Sequence, residues 1–289
     1  MAKIEVNGVG LAYEILGEGE RAVAITPGGR YSKAAPGVRS LAQALAQDGC
    51  KVLIWDRPNS GESDISFDGE TESLMCADAL AGLLRALDFG PTLLVGGSAG
   101  SRASLLAALR HPQVAKALFL LWISGGPIGL TVLAMHYCAE SGLAAARGGM
   151  ERVAALPMFK EPLECNPGNR DRLLGIDPQA FIARMQDWVR ASFTTNGSPV
   201  PGLRAEDFAA LRLPVLILRS GASDIHHPRA ISEAVHRLIP GSRLAEPPWG
   251  DNEWNERLAA RDETGEGLFS RWALLAAPIL RFSKEVWPS

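Results

Sequence analysis

Short apolar runs alternate with amphipathic segments along the first part of the chain. The apolar runs have the length and composition of strands that are buried on both faces, and the segments between them have helical spacing. This alternation predicts parallel βαβ units after an opening hairpin that turns at Asn7-Gly8. The predicted strands are Lys3–Val6, Gly10–Leu16, Ala22–Thr26, Lys51–Trp55, Thr92–Val95 and Ala115–Ile123, and the predicted helices are Ser40–Ala46, Glu72–Leu87 and Ala99–Arg110.

The pattern changes over residues 124–203. Apolar positions there have helical spacing, most clearly over Gly142–Leu156 and Pro178–Phe193, and no strand pattern occurs. Strand and helix patterns then alternate again, at Val215–Arg219, Arg229–Leu238, Arg243–Glu246 and Gly267–Phe282.

An α/β core is therefore predicted over residues 1–123 and 204–289, with a helical cap over 124–203 inserted between strands. The predicted sheet is mostly parallel and carries helices on both faces. The insert follows directly on a strand, at the sheet edge where open α/β proteins bind ligands. We therefore expect the insert to act as a lid.

Composition and charge narrow the function class. Of the 289 residues, 47 % are hydrophobic and 21 % are charged, and the net charge of −3 gives no broad basic surface for nucleic acid. No apolar run approaches the ~18 residues of a membrane span, and the first residues lack the apolar stretch of a signal peptide. The four cysteines are far apart without C-x-x-C spacing. We expect a cytoplasmic protein that acts on a small molecule, without metal, cofactor, nucleic acid or membrane, and leave a homodimer open.

Residues Gly96 to Gly100 form the pattern G-x-S-x-G between a predicted strand and a predicted helix. That context is the one in which the motif places a serine at the apex of a sharp strand-to-helix turn. Gly96 and Gly100 keep side chains out of the turn, and Ser98 then lies at a helix N-terminus, where the dipole favours negative charge. The alternatives are a tight turn with an unreactive serine, or a phosphate-binding turn.

A reactive serine also needs an oxyanion hole, that is, two N–H groups aimed at the developing negative charge. The Ala99 N–H is one candidate, because it directly follows Ser98. The second is expected from the glycine loop after the strand Ala22–Thr26, where Gly28 and Gly29 allow the backbone to approach a ligand closely.

Taken together, these motifs resemble the α/β-hydrolase superfamily over nearly the whole chain. The resemblance rests on the hairpin, the helical insert and four short stretches, which are Pro27-Gly28-Gly29, Asp56 to Asp64, the elbow at Ser98, and Gly221 to Pro228. It implies an α/β-hydrolase fold, with Ser98 as nucleophile, Asp224 as the acid of a triad, and Gly29 and Ala99 as oxyanion donors. A serine at the elbow argues against dehalogenases and epoxide hydrolases, which have an aspartate there.

The family places its catalytic histidine after the last strand, but the corresponding loop here, Glu246 to Trp254, contains none. His226 and His227 follow Asp224 closely, and the SGNH group of serine hydrolases uses such D-x-x-H spacing for its acid and base. We predict His227 as the base ahead of His226. The alternatives are a carboxylate base with a raised pKa, or a Ser98 that only donates a hydrogen bond.

A carboxylate base would be Asp251 or Glu253. Substrate contacts are expected from Arg30 and Arg102, which could pair with a carboxylate, and from His136 in the insert. Aromatic side chains commonly wall small-molecule pockets. The tryptophans expected to do so are Trp122, Trp188, Trp249 and Trp254.

We therefore expect a serine hydrolase that uses Ser98 to attack a small carbonyl compound, such as an ester, a lactone, an amide or a C–C bond next to a ketone. One alternative is a cofactor-independent lyase or isomerase in which Ser98 donates a hydrogen bond. The other is a non-catalytic small-molecule binder on a hydrolase scaffold.

Overall fold

The computed structural model describes residues 2–194 and 197–288. Its strands are β1 (Ala2–Val6), β2 (Val9–Leu16), β3 (Arg21–Thr26), β4 (Cys50–Trp55), β5 (Thr92–Gly97), β6 (Ala115–Leu121), β7 (Val215–Leu218) and β8 (Arg243–Ala245). Its α-helices are α1 (Val38–Gln47), α2 (Glu72–Ala86), α3 (Ala99–Arg110), α4 (Pro127–Ala134), α5 (Glu140–Ala154), α6 (Pro157–Cys165), α7 (Gly168–Leu174), α8 (Pro178–Ala191), α9 (Ala205–Phe208), α10 (Arg229–Leu238), α11 (Glu253–Thr264) and α12 (Ala276–Val286).

The strands form one sheet in the order β1-β2-β4-β3-β5-β6-β7-β8. The hairpin strands pair antiparallel, β2 pairs antiparallel with β4, and every later pairing is parallel. The carboxyl ends of β5, β6 and β7 therefore lie next to one another at one edge. The predicted class, a mostly parallel α/β sheet, is confirmed.

Helices cover both faces of the sheet, because successive side chains of a strand point to opposite sides. In β5, Leu94 belongs to an apolar cluster that includes residues of α2, α3 and α10. The next residue, Val95, belongs to a second cluster with residues of α1 and α12. Both side chains are fully buried, so the central strand is apolar without alternation.

Helices α4 to α8 come between β6 and β7, within the segment predicted as a cap. Helices α5 to α8 share an apolar cluster that is separate from the two against the sheet, and its aromatic members include Phe67, Phe159, Phe181 and Trp188. Phe67 comes from the core side and contacts the other three rings, with centroids 4.9 to 6.3 Å away. The insert is therefore held to the core by packing. Across the described ranges, no helix combines the length and apolarity needed to cross a bilayer.

The C-terminal region differs from the prediction. Helix α11 was not predicted, and the last α-helix begins at Ala276, not at Gly267. The buried residues of α11 are Glu253 and Arg257, so this helix has no apolar stripe to reveal it. The apolar residues before α12 belong instead to a short 3₁₀ segment, Ser270–Leu275, in which Trp272 and Leu275 are buried.

Candidate active site

Ser98 stands at the apex of the turn from β5 into α3. Its φ of 56° and ψ of −118° are in a region that side chains rarely adopt, which costs about 1–3 kcal/mol and is typical of functional sites. A Cβ on Gly96 would overlap the backbone of Gly100, and a Cβ on Gly100 would overlap the Thr26 carbonyl. The two glycines are therefore required by the closeness of the neighbouring backbone.

The Ser98 hydroxyl is hydrogen-bonded to a histidine that is bonded in turn to an aspartate. The distance from Ser98 Oγ to His227 Nε2 is 2.8 Å, and that from His227 Nδ1 to Asp224 Oδ2 is also 2.8 Å. With Nδ1–H donating to the carboxylate, Nε2 is free to accept the Ser98 proton. Asp224 and His227 are each 5 % exposed, so the relay is shielded from water.

The Asp224 carboxylate is held in its charged form by its neighbours. Burial by itself raises the pKa of Asp224, but the His227 ring and two backbone N–H groups outweigh it and keep the pKa below its usual value. The N–H groups belong to His226 and His227 and donate to Oδ1 at 3.0 and 2.9 Å. The same bonds close a tight turn, which directs the His227 ring toward Ser98.

The other base candidates do not reach Ser98. Glu253 is buried against Arg257, with its Oε1 2.8 Å from Arg257 Nε, and Asp251 pairs with Arg229. Neither carboxylate is a hydrogen-bond partner of Ser98 in the described residues, so the structure does not support the alternative of a carboxylate base. His226 lies beside the site, and burial together with the neighbouring His227 lowers its pKa.

The topology explains how a histidine on the loop after β7 reaches Ser98. The strands β5, β6 and β7 are adjacent and parallel, so the loops that follow them meet at one edge. The His227 ring is stacked on Trp122, which follows β6, with centroids 6.2 Å apart. Trp254, at the start of α11, meets the same ring edge-on at 5.6 Å. The two tryptophans thus hold the His227 imidazole beside Ser98, although it comes from the loop after β7 and not from the loop after the last strand.

The loop predicted to provide an oxyanion donor lies directly beside Ser98. A Cβ on Gly28 would be 2.8 Å from Ser98 Cβ, and Gly29 has a φ of 53° that favours glycine. Arg57 Nη2 donates to the carbonyls of Gly28 and Gly29. In a trans peptide the N–H points opposite to the preceding carbonyl, so the N–H of Gly29 is directed away from Arg57. The guanidinium therefore fixes the orientation of this loop.

A cavity of about 410 Å³ opens above Ser98. The core contributes Gly28, Gly29 and the two histidines of the Asp224 loop, and the insert contributes Leu133, His136 and Tyr137. Its aromatic walls are Tyr31, Trp122, Tyr137, Trp254 and Phe269. The volume and the mixed lining suit a small organic molecule.

Of the predicted substrate contacts, His136 lines this cavity, as do the candidate wall residues Trp122 and Trp254. Arg30 does not line it. Its Nε lies 2.8 Å from Glu72, and its guanidinium packs over the rings of Tyr137 and Phe159. The prediction for Arg30 is wrong because this buried ion pair turns the side chain under the insert.

Arg102, Trp188 and Trp249 are also outside the lining of the Ser98 cavity. Arg102 and Trp188 face a separate cavity of about 40 Å³ between α2, α3 and the insert. The indole of Trp188 donates to the Gly69 carbonyl at 2.9 Å, and Trp249 packs behind Trp122 at 5.7 Å. These predictions are corrected, because the sequence did not show in which direction each side chain points.

Sequence reasoning missed several residues at the site, among them Ser124, Tyr137 and Arg257. Ser124, after β6, places its hydroxyl 3.2 Å from Ser98 Oγ. The Tyr137 hydroxyl lies 2.7 Å from where a Gly29 Cβ would be, and burial raises the pKa of Tyr137 to about 12. Arg257 lines the cavity from α11. Ser124 follows an identified strand and could have been found in that way, whereas Arg257 belongs to a helix without an apolar pattern.

Comparisons with known proteins agree with this architecture. Residues 27–163 match the family model described as alpha/beta hydrolase fold. The chain is 27 % identical over 227 residues to RutD of Klebsiella pneumoniae, a protein assigned by name as a carbamate hydrolase, which covers 74 % of this chain and 79 % of that protein. It is 27 % identical over 264 residues to the human serine hydrolase BPHL, and the match covers 89 % of this chain and 82 % of that protein.

Among solved structures, the enol-lactonase of Burkholderia xenovorans superposes with a TM-score of 0.56 at 20 % identity, covering 91 % of this chain and 98 % of that one. The sheet order, the elbow at Ser98 and these matches define an α/β-hydrolase fold. The chain is therefore similar to α/β-hydrolases in its fold, and residues 27–163 carry the match to that family's model.

Proposed function

We propose that the protein is a serine hydrolase that cleaves a small carbonyl compound, such as an ester, a lactone, an amide or a C–C bond next to a ketone. The observation that carries the proposal is the continuous hydrogen-bonded chain from Ser98 to His227 to Asp224, with both distances at 2.8 Å. A serine hydroxyl is a weak nucleophile, and such a chain is the arrangement that activates it.

In this mechanism Ser98 Oγ attacks the carbonyl carbon while His227 Nε2 takes the hydroxyl proton. The N–H groups of Gly29 and Ala99 hold the oxyanion, and the charged Asp224 stabilises the imidazolium. The imidazolium then gives its proton to the leaving group. Water, deprotonated by the same Nε2, attacks the acyl-enzyme and releases Ser98.

The names of the relatives support the class of reaction. They describe a carbamate hydrolase, a serine hydrolase and an enol-lactonase. The position of the insert supports a lid function, because Leu133, His136 and Tyr137 cover the cavity that contains Ser98. Closure of these helices over a bound substrate would exclude bulk water from the reaction.

Covalent labelling with a fluorophosphonate tests the proposal directly. The probe is expected to modify the wild-type protein at one serine per chain, and Ser98→Ala is expected to abolish the modification. Ser124→Ala is the matched control, because its hydroxyl lies 3.2 Å from Ser98 Oγ yet has no base of its own in the mechanism. A folded wild-type protein that is not labelled would exclude a nucleophilic Ser98 and favour a hydrogen-bond donor role.

A further inference from the structure

The charges that line the Ser98 cavity are of one sign. Helix α11 contributes Arg257 and Arg261, which are four residues apart and therefore share a helix face. His136 and His226 are the other titratable side chains there besides His227 and two tyrosines, and within the described ranges no aspartate or glutamate lines the cavity. The arginines make the α11 end of the cavity electropositive.

Arg257 is held rigidly in the cavity wall. Its Nε lies 2.8 Å from Glu253, and its Nη1 donates to the Leu268 carbonyl at 3.1 Å. The guanidinium lies between the indoles of Trp122 and Trp254, at 4.2 and 4.5 Å from their centroids. Its Nη2 is buried and has no hydrogen-bond partner in the part of the chain that the structure describes.

The acidic partners of the two arginines lie outside the cavity lining. Glu253 is 2 % exposed and does not line the cavity, whereas Arg257 does, so the positive member of this ion pair is the one at the cavity. Asp262, the partner of Arg261, is mostly exposed to solvent. Arg261 is half-exposed, and its Nε and Nη2 each lie 2.8 Å from Asp262 Oδ1, so the N–H groups on its Nη1 side are the ones that remain for a ligand.

Tyr31 marks the position of this charged end relative to the nucleophile. It lines the same cavity, two residues after Gly29 of the oxyanion loop. Burial raises the pKa of Tyr31, and the positive charges of Arg261 and Arg257 oppose that shift. Arg257, Arg261 and Tyr31 line the same cavity, and the Tyr31 ring lies 2.9 Å from where a Gly29 Cβ would be, so the charged end adjoins the loop beside Ser98.

We infer that the substrate carries a carboxylate, which binds at the α11 end of the cavity against Arg261 in the field of Arg257. This inference rests on the proposed function and adds the substrate class. A planar guanidinium matches a carboxylate by two parallel hydrogen bonds. The remaining aromatic wall would contact the apolar part of the molecule, with its scissile carbonyl at Ser98.

Two pairs of aryl esters test the inference, and each pair differs by a carboxylate against a primary amide. The first pair is 4-acetoxybenzoate and 4-acetoxybenzamide, with the charge on the leaving group. The second pair is the mono-4-nitrophenyl ester of pimelate and its pimelamate analogue, with the charge on the acyl group. The kcat/KM values are divided by the alkaline hydrolysis rate of each ester, and at least one pair is expected to favour the carboxylate by about tenfold or more.

Arg261→Gln is the diagnostic variant, because its side chain is at the mouth and contributes little to packing. It is expected to lower the carboxylate preference at least about fivefold, through kcat/KM of the acid substrate. Arg271→Gln is the matched control. Arg271 pairs at 2.8 Å with Glu256 of helix α11 but does not line the cavity, so the carboxylate preference is expected to be unchanged in Arg271→Gln.

Binding to the inactive Ser98→Ala variant separates this inference from the proposed function. Calorimetry is expected to show 4-acetoxybenzoate or the pimelate ester binding at least about tenfold more tightly than its amide analogue. Equal kcat/KM within both pairs, with turnover still dependent on Ser98, would overturn the inference and leave the hydrolase intact. If no ester is hydrolysed, equal affinities in the binding experiment overturn the inference independently, whereas a carboxylate preference supports it.

Discussion

Replacement of His227 by glutamine is the most decisive perturbation of the proposed relay. Glutamine can still donate a hydrogen bond toward Asp224 and can still contact Ser98, but it cannot take the serine proton at neutral pH. His227→Gln therefore preserves much of the packing between Trp122 and Trp254 and removes the general base.

The expected magnitude follows from the partners of Ser98. Its hydroxyl has two hydrogen-bond partners in the described residues, His227 Nε2 at 2.8 Å and the Ser124 hydroxyl at 3.2 Å, and the second is not a base. With no substitute base, kcat should fall by the 10²- to 10⁴-fold that general base catalysis contributes, which corresponds to about 3–5 kcal/mol in the barrier. The Ser98→Ala, His227→Gln double variant should be little slower than Ser98→Ala alone, because the two residues act as a unit.

The assay is hydrolysis of a short-chain aryl ester together with the rate of fluorophosphonate labelling, on variants shown to be folded by thermal unfolding. His226→Gln is the matched control, since it changes the adjacent histidine, which also lines the cavity but is not bonded to Ser98. It should cost less than about tenfold in kcat. If His227→Gln stays within tenfold of the wild type, or His226→Gln is impaired as strongly, the assignment of the base is refuted.

Three further predictions concern the loop, the acid and the arginine of the site. Gly28→Ala places a Cβ 2.8 Å from Ser98 Cβ, so fluorophosphonate labelling should slow at least about tenfold and the protein should lose about 1–3 kcal/mol of stability. An unchanged labelling rate would contradict the close approach of the two residues. The pKa of Asp224 lies below its usual value of 3.8, so its contribution to the free energy of unfolding is complete above that value and is lost as pH falls through the lowered pKa. In urea unfolding, the stability advantage of the wild type over Asp224→Asn should shrink in that pH window. A difference that does not change with pH would contradict this account. Arg257→Met leaves Glu253 buried and unpaired and should destabilise the protein by about 3–5 kcal/mol in urea unfolding. Adding Glu253→Gln should recover part of this loss. A double variant that is no more stable than Arg257→Met would contradict the ion-pair account.

The active-site elbow could be predicted because it is local. The strand, the glycines, the serine and the helix follow one another within one stretch of the chain. The glycines at positions 96 and 100 indicate crowded backbone, because a Cβ at either position would overlap it. The order of apolar runs likewise indicated a mostly parallel sheet with helices on both faces. Helix α11 was missed because its inward positions are Glu253 and Arg257, and a hydrophobic pattern cannot report a charged pair that is buried by tertiary contacts.

Side-chain direction accounts for the other differences. Arg30 and Arg102 lie next to the oxyanion loop and the elbow in sequence, yet the structure turns Arg30 toward Glu72 and places Arg102 at a separate cavity. The position of an arginine next to a site residue in the sequence fixes where its Cα lies, but its long side chain can still take several directions. The groups from distant segments that pack against the buried side chain select one of these directions.

The G-x-S-x-G turn, the placement of Asp224 and two histidines on one loop, and the α/β class could all be predicted from the sequence, since each depends on residues close together in the chain. The contact of Ser98 with His227, and not with His226, joins residues 129 positions apart and is set by the folded chain. The D-x-x-H spacing favoured His227, but the direction of its ring depends on the Asp224 turn and on tryptophans from two other segments, which the loop sequence does not contain.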